Sequence, residues 1–367
     1  AGFIGSHLTI KLVDEGYNVT ILDNLSEQIH GKERERSVLY KSIKDISRFL
    51  LGDVCNKSDW KKALEGQDVV IHLAAETGTG QSMYEVSRYN KVNVLGSSYL
   101  FEVLANQDNS VKKIILASSR AVYGEGRYYC PNHATIFPAE RDEKHLEKGV
   151  FDPICDICHG NLTLEATDEE SKIHPVSIYG ITKQIQEQIF FLMGKNLDIP
   201  IVALRYQNVY GPRQSLINPY TGILSVFSTR LLNNNDIDIF EDGMASRDFV
   251  FIDDVVNSTI LALKKEANNQ VFNVGSGVAT TINEVANQLK LAYNSDRNLF
   301  VSGRYRKGDI RHNLADLSKI SSLLGYVPEV DFKTGMKKFT DWVQTQNVSQ
   351  DQYKDSITEL TKRNLLK

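Results

Sequence analysis

Proline (8) and glycine (24) are sparse in the 367 residues, which excludes collagen-like and low-complexity chains. Charge of one sign is lacking too: 42 Lys and Arg stand against 46 Asp and Glu, a net of −4. That balance excludes a strongly basic nucleic-acid binder, and the 41% hydrophobic content excludes a disordered chain. No apolar run approaches the ~18–20 residues of a membrane span, and no signal-like segment opens the sequence. A soluble cytoplasmic protein with no nucleic-acid or membrane partner is expected. Four cysteines make no disulfide framework, so any clustering among them points to metal or redox chemistry.

What is present is an alternation. Short β-branched runs (Asn18 to Leu22, Asp68 to Leu73, Lys113 to Ala117, Ile201 to Leu204) alternate with amphipathic stretches such as Tyr89 to Leu104 and Tyr179 to Met193. This predicts an α/β fold with a Rossmann-type, doubly wound parallel sheet. From Gly211 the pattern loosens into a helix near Val226 to Leu232, short strands and two late helices, read as a smaller C-terminal α/β substrate lobe. The expected division is 1–207 for the nucleotide domain and 208–347 mainly for the lobe, with 250–275 returning to the first domain. Residues 348–367 read as a polar tail that forms a frayed helix.

The opening Ala1-Gly2-Phe3-Ile4-Gly5 runs into a helical pattern, and the next strand ends in Leu22-Asp23-Asn24. Gly2 and Gly5 have the spacing of the last two glycines of a dinucleotide fingerprint, with Phe3 and Ile4 between them at the pyrophosphate turn. Asp23 lies where a carboxylate accepts both ribose hydroxyls and repels a 2′-phosphate, which favours NAD over NADP. The first fingerprint glycine and its strand are absent, so the chain is expected to lack its first ten or so residues. Further cofactor candidates sit at later strand ends or helix turns: Asp53-Val54, Leu73-Ala74-Ala75, Asn93 and Ser118.

The catalytic candidates are Ser119, Tyr179 and Lys183. Tyr179 and Lys183 are four apart on a helical pattern, so the ammonium can hold the phenolate and lower the phenol from its usual value near 10. Ser119, at a strand's end, would hydrogen-bond the substrate oxygen while the phenolate takes a hydroxyl proton. Tyr40 and Lys44 repeat the spacing in a polar stretch that no strand feeds, and serve as a control for chance.

With Leu204-Arg205-Tyr206-Gln207-Asn208-Val209-Tyr210-Gly211-Pro212-Arg213-Gln214, Arg247-Asp248-Phe249-Val250, Asn273-Val274-Gly275-Ser276-Gly277 and Arg306-Lys307-Gly308-Asp309-Ile310-Arg311, the chain resembles the NAD-dependent epimerase/dehydratase family of extended short-chain dehydrogenases. Gln207 departs from the family's usual Phe. The resemblance implies that Asn208, Arg247 and Arg306 meet the diphosphate of a nucleoside-diphosphate sugar, that the helix of Tyr179 joins an intersubunit four-helix bundle, and that the protein is a homodimer. Family dehydratases carry acidic residues where this chain has Arg120 and Ala121, which leaves epimerisation at C4 through a 4-keto sugar. Gly80-Gln81-Ser82-Met83-Tyr84-Glu85, Asn218-Pro219-Tyr220-Thr221-Gly222-Ile223-Leu224 and Gly308-Asp309-Ile310-Arg311-His312 are most similar to the bacterial dTDP-L-rhamnose 4-epimerase group. UDP-glucose and UDP-glucuronate 4-epimerases remain alternatives.

Ser119 and Tyr179 are 60 residues apart, about twice the family's separation. The excess, 126–172, holds Cys130-Pro-Asn-His133 and Cys155-Asp-Ile-Cys158, 21 residues between them. Three thiolates and an imidazole predict a structural zinc site, with His145 or His159 as substitutes for His133. Cys55 reads as a buried small residue.

Overall fold

A computed structural model describes residues 1–216, 218, 222–346, 351 and 353–367. Pro219, Tyr220 and Thr221 of the motif above lie outside the described residues.

One half of the molecule is built from parallel strands. β1 (Thr20–Asp23) pairs with β2 (Arg48–Leu51). β3 (Val69–His72), β4 (Lys113–Ser119), β8 (Ile201–Tyr206) and β12 (Gln270–Val274) form a four-stranded sheet in the order β12-β8-β4-β3. All of β8 is buried, as expected for a strand covered on both faces, and its apolar run Ile-Val-Ala-Leu reflects that. Helices Phe3–Asp14, Gly96–Asn106, Ile178–Leu197 and Ile252–Lys264 connect the strands. Side chains of Leu100, Phe101, Ile114, Phe190 and Ile201 make one core; Ile115, Val202, Leu204, Phe272 and Ile320 make another.

Between β4 and β8 the insertion folds as a small antiparallel sheet of β5 (Tyr128–Cys130), β6 (Ala134–Ile136) and β7 (Thr163–Leu164), in the order β6-β5-β7. The other half contains β9 (Asn208–Tyr210), β11 (Ser246–Phe251) and β13 (Ala279–Thr281) in a second sheet, and the parallel pair β10 (Ile237–Ile239) and β14 (Leu299–Val301). β8 and β9 are separated only by Gln207, so one continuous stretch runs from the first sheet to the second.

Within the stretch expected as a frayed polar tail, residues 353–367 are instead docked. Tyr353–Lys362 is helical and buries Tyr353, Ser356 and Leu360, and residues 365–367 pair with Tyr305 and Lys307. Its apolar stripe is too narrow to stand out among charged neighbours, but it suffices to hold the segment on a preformed surface. Among the described residues no helix is long and apolar enough to cross a membrane.

Candidate active site

The helix Phe3–Asp14 starts at Gly2 with no side-chain cap and no acidic residue in its first turn. Its first N–H groups and the positive end of its dipole are therefore free for an anion. A Cβ on Gly2 would meet nothing within 4 Å, so Phe3 and Ile4 follow an open turn. The Ala1 nitrogen lies 2.7 Å from Asp23 Oδ2, which sets that carboxylate beside the turn. Asn24 donates to Asp53 (3.2 Å), and Asp53 also accepts from Cys55 N–H (2.8 Å). Desolvation pushes the Asp53 carboxyl up, but these hydrogen bonds outweigh it and hold it below its ordinary value. Val54 is buried against Gly96. These features fit a dinucleotide with unphosphorylated ribose hydroxyls.

Leu73, Ala74 and Ala75 leave β3 toward the same edge. The loop that follows is held by Asn93, whose amide accepts from Glu76 N–H (2.8 Å) and donates to Glu76 C=O (3.1 Å) and Thr182 Oγ1 (3.0 Å). Asn93 sits in a π-helical stretch, Asn90–Leu95, and this extra-wide turn aims it inward. Its side chain thus fixes the loop to the helix of Tyr179. Ser118 points the opposite way from Ser119, as successive strand residues must, and donates to Glu187 at 2.5 Å. Glu187 in turn holds Arg205 through two contacts of 2.7 and 2.9 Å.

Ser119 and Tyr179 meet. Ser177 caps the helix Ile178–Leu197, accepting from Gly180 N–H at 3.1 Å. The first turn packs so closely on the residues after β4 that a Cβ at Gly180 would lie 2.5 Å from the Ala121 carbonyl oxygen. The lowering expected for the Tyr179 phenol is not found: enclosure outweighs the pull of the Ser119 hydroxyl and the Arg120 charge and leaves it above its ordinary value. Lys183 was expected to supply that lowering. Its Nζ instead donates to Ala117 C=O (3.0 Å) and Gln186 Oε1 (2.8 Å), and burial pulls it down to about 7 against the opposing pull of Glu187. Gln186, which no sequence motif marks, passes the network on to Ser97 Oγ at 2.8 Å. Tyr40 packs its ring on Phe49 at 4.8 Å and Lys44 faces Asp45 at 3.9 Å, an ordinary structural pair.

Asn208 Oδ1, Arg213 Nη1 and Arg306 Nε are among the buried polar atoms with no protein partner. Such atoms are costly unless a ligand satisfies them. Arg306 lines a groove with Thr79, Gly80, Met83, Leu360 and Leu365, so the docked C-terminal segment forms part of the wall. Arg247 lies behind it: its two terminal nitrogens bond Ser246 C=O, Arg311 C=O, Asp309 Oδ1 and Ile310 C=O at 2.9–3.1 Å. Burial pushes Asp309 up, but the charges of Arg247, Arg306, Arg120 and Arg141 hold it below its ordinary value. Gln207, in the place of the family's Phe, accepts from Asn313, which also accepts from Asp248 N–H.

Cys130, His133, Cys155 and Cys158 come together in the insertion, with one ligating atom from each within 4.8 Å of all the others.

The sequence model of the "NAD dependent epimerase/dehydratase family" matches residues 1–144 and 158–275, passing over 145–157 in the insertion. A dTDP-L-rhamnose 4-epimerase of Burkholderia thailandensis is 35% identical over 94% of this chain and 93% of its own length. Among solved structures, a UDP-glucose 4-epimerase of Thermotoga maritima with UDP-glucose superposes with a TM-score of 0.76 at 30% identity, over 94% of this chain and 96% of that one. A UDP-glucuronic acid 4-epimerase of Bacillus cereus, in complex with UDP-glucuronic acid and NAD, gives 0.75 at 27% identity over the same shares.

Proposed function

Because the chain belongs to the NAD-dependent epimerase/dehydratase family, we propose that it is a nucleotide-sugar 4-epimerase that inverts C4 through a transient 4-keto sugar. Bound NAD would accept a hydride from C4 and return it to the opposite face, so it would not be consumed. The turn from Gly2 to Gly5 would receive the pyrophosphate on helix N–H groups, and Asp23 the adenosine ribose.

The Tyr179 phenolate takes the proton of the C4 hydroxyl, and Ser119 donates a hydrogen bond to the same oxygen. Arg120 stabilises the phenolate from the side. Lys183, one helical turn after Tyr179, directs its buried amine to Ala117 and Gln186 and carries its charge below about pH 7. Once the 4-keto sugar has turned over, Tyr179 gives the proton back. Arg306 Nε is an unpartnered donor that suits a sugar diphosphate, whereas the unpartnered Asn208 Oδ1 is an acceptor and suits a hydroxyl or N–H of the same ligand.

The observation that carries this reading is the Ser119–Tyr179 contact with Arg120, not an acid, beside it. Elimination needs an acid to protonate the departing hydroxyl. Arg120, pulled down to about 10 by desolvation and Arg247, keeps its charge at neutral pH, and Ala121 has no proton to give. For the sugar we favour dTDP-L-rhamnose, on the 35% relative, with UDP-glucose or UDP-glucuronate as the second reading, on the two solved structures. We also propose a homodimer through the helix Ile178–Leu197, where Ile181 is 39% and Leu192 70% exposed.

The test is Tyr179→Phe: NAD stays bound and C4 inversion falls at least ~100-fold, as for loss of a positioned base. Turnover within threefold of the parent would remove Tyr179 from the mechanism.

A further inference from the structure

The insertion holds a cluster that the proposed reaction leaves unused. Cys130 Sγ lies 3.5 Å from His133 Nδ1 and 3.7 Å from Cys158 Sγ, and Cys155 Sγ lies 3.6 Å from His133 Nδ1. A tetrahedral zinc with Zn–S of about 2.3 Å and Zn–N of about 2.0–2.1 Å has S···S edges near ~3.8 Å and S···N edges near ~3.5 Å. Three of the six separations match those edges, and all four ligating atoms lie within 4.8 Å of one another. All the cysteines are free thiols.

The backbone is shaped around the cluster. Cys130-Pro131-Asn132-His133 is the turn of the β5–β6 hairpin, closed by His133 N–H to Cys130 C=O at 3.2 Å. The second knuckle, Cys155 to Cys158, lies inside a turn bounded by the Ile154–Asn161 bridge and closed by Cys155 N–H to Gly160 C=O at 2.9 Å. Ala134 and His159 both take the left-handed conformation (φ 58° and 55°), a cost that tight ligand-presenting turns explain. Asn132 Nδ2 reaches Cys158 Sγ at 3.7 Å, an outer-shell contact that would orient the thiolate. Cys130 and Cys155 are fully buried, although three very short strands give the insertion little core of its own.

We infer that Cys130, His133, Cys155 and Cys158 bind one zinc ion in a closed, structural site that folds the insertion and, through Arg141 and Asp152, fixes the sugar side of the active site. The metal does not rest on the proposed reaction; its influence on the sugar does. Arg141 lies between the two knuckles in sequence and is almost fully buried. It donates to Asp309 C=O (2.9 Å) and pairs with Glu125 (3.2 Å) and Glu241 (2.9 Å). Asp152, three residues before Cys155, accepts from Arg311 Nε at 2.6 Å. Ala139 N–H to Asp156 Oδ2 (3.1 Å) ties the Arg141 side of the loop to the second knuckle. Four protein ligands leave no open position, so the metal stands apart from the chemistry at C4.

Elemental analysis of the whole protein, purified without chelator, should give about one zinc per chain. Protein grown in cobalt should show the intense visible bands of tetrahedral thiolate cobalt. Cys158→Ser should lose most of the zinc, retain NAD, and raise the KM for the nucleotide sugar several-fold with a smaller effect on kcat. Should Cys158→Ser not fold, zinc release from the parent by titrating its thiols, followed by the same binding measurements, gives the same comparison. Well under half an equivalent of zinc together with no thiolate–cobalt spectrum overturns the site, as does iron in its place. Full zinc in the parent with unchanged sugar KM after its removal overturns the link to the active site, without touching the metal or the proposed epimerase.

Discussion

Gln186→Leu tests whether the charge of Lys183 matters to the reaction. Gln186 is fully buried and its Oε1 is one of two acceptors of the Lys183 ammonium, at 2.8 Å; the other is Ala117 C=O at 3.0 Å. Leucine keeps the approximate volume and removes the acceptor. A hydrogen bond to a charged group contributes about 1.5–3 kcal/mol. The neutral amine can still donate to Ala117, so the loss falls on the charged form. At ~1.4 kcal/mol per unit, that moves Lys183 from about 7 to roughly one or two units lower. The sign follows: Lys183 is charged below its pKa, so lowering the pKa withdraws the charged form from the alkaline side. The alkaline limb of kcat/KM, followed as C4 inversion across pH, should move toward acid by about one to two units, in line with the same hydrogen-bond energy. At pH near 8 the loss is ~10- to ~100-fold, while the two profiles converge toward acid. Gln186→Glu puts a carboxylate beside the ammonium and should move the same limb toward alkali. Profiles that superimpose after scaling would refute the reasoning and reduce Gln186 to packing.

Arg306→Met removes a guanidinium whose Nε is buried without a protein partner, and should raise the KM for the nucleotide sugar ~10-fold or more while NAD affinity holds, read by isothermal titration of each ligand. An unchanged sugar KM would take Arg306 out of the diphosphate site. Light scattering at micromolar concentration should return a dimer mass, and Leu192→Glu, on the exposed face of the Tyr179 helix, should shift it toward monomer; a monomeric parent contradicts the proposed bundle.

Much of the sheet could be read from the sequence because parallel strands buried on both faces leave unbroken apolar runs, as at Ile201 to Leu204. The meeting of Ser119 and Tyr179 was legible for a related reason: one ends a strand and the other begins a helix, so topology brings them together. Side-chain direction was not legible. Spacing sets Tyr179 and Lys183 on one helical face, but only packing shows that the Lys183 ammonium turns back to Ala117 and Gln186, leaving Arg120 beside the phenol. Arg247 carries a motif, yet its terminal nitrogens bond the 309–311 segment, a pairing across more than sixty residues that no local pattern announces. Arg141 is one of several cations in an insertion without periodicity, and its partners Glu125, Glu241 and Asp309 come from three separate segments. The Cys and His spacing was legible because two short knuckles fix their own geometry. The docking of the C-terminal helix was not, because its few apolar residues acquire meaning only on the surface they cover.

The central claim is inversion at C4, and proton NMR of the product tests it most directly. With dTDP-L-rhamnose, UDP-glucose and UDP-glucuronate supplied in turn and NAD present, the account predicts that one sugar equilibrates with its C4 epimer, seen as a change in the H3–H4 and H4–H5 couplings, with no net NADH. A 4-keto-6-deoxy sugar, a decarboxylated sugar, or stoichiometric NADH as the end product would contradict it.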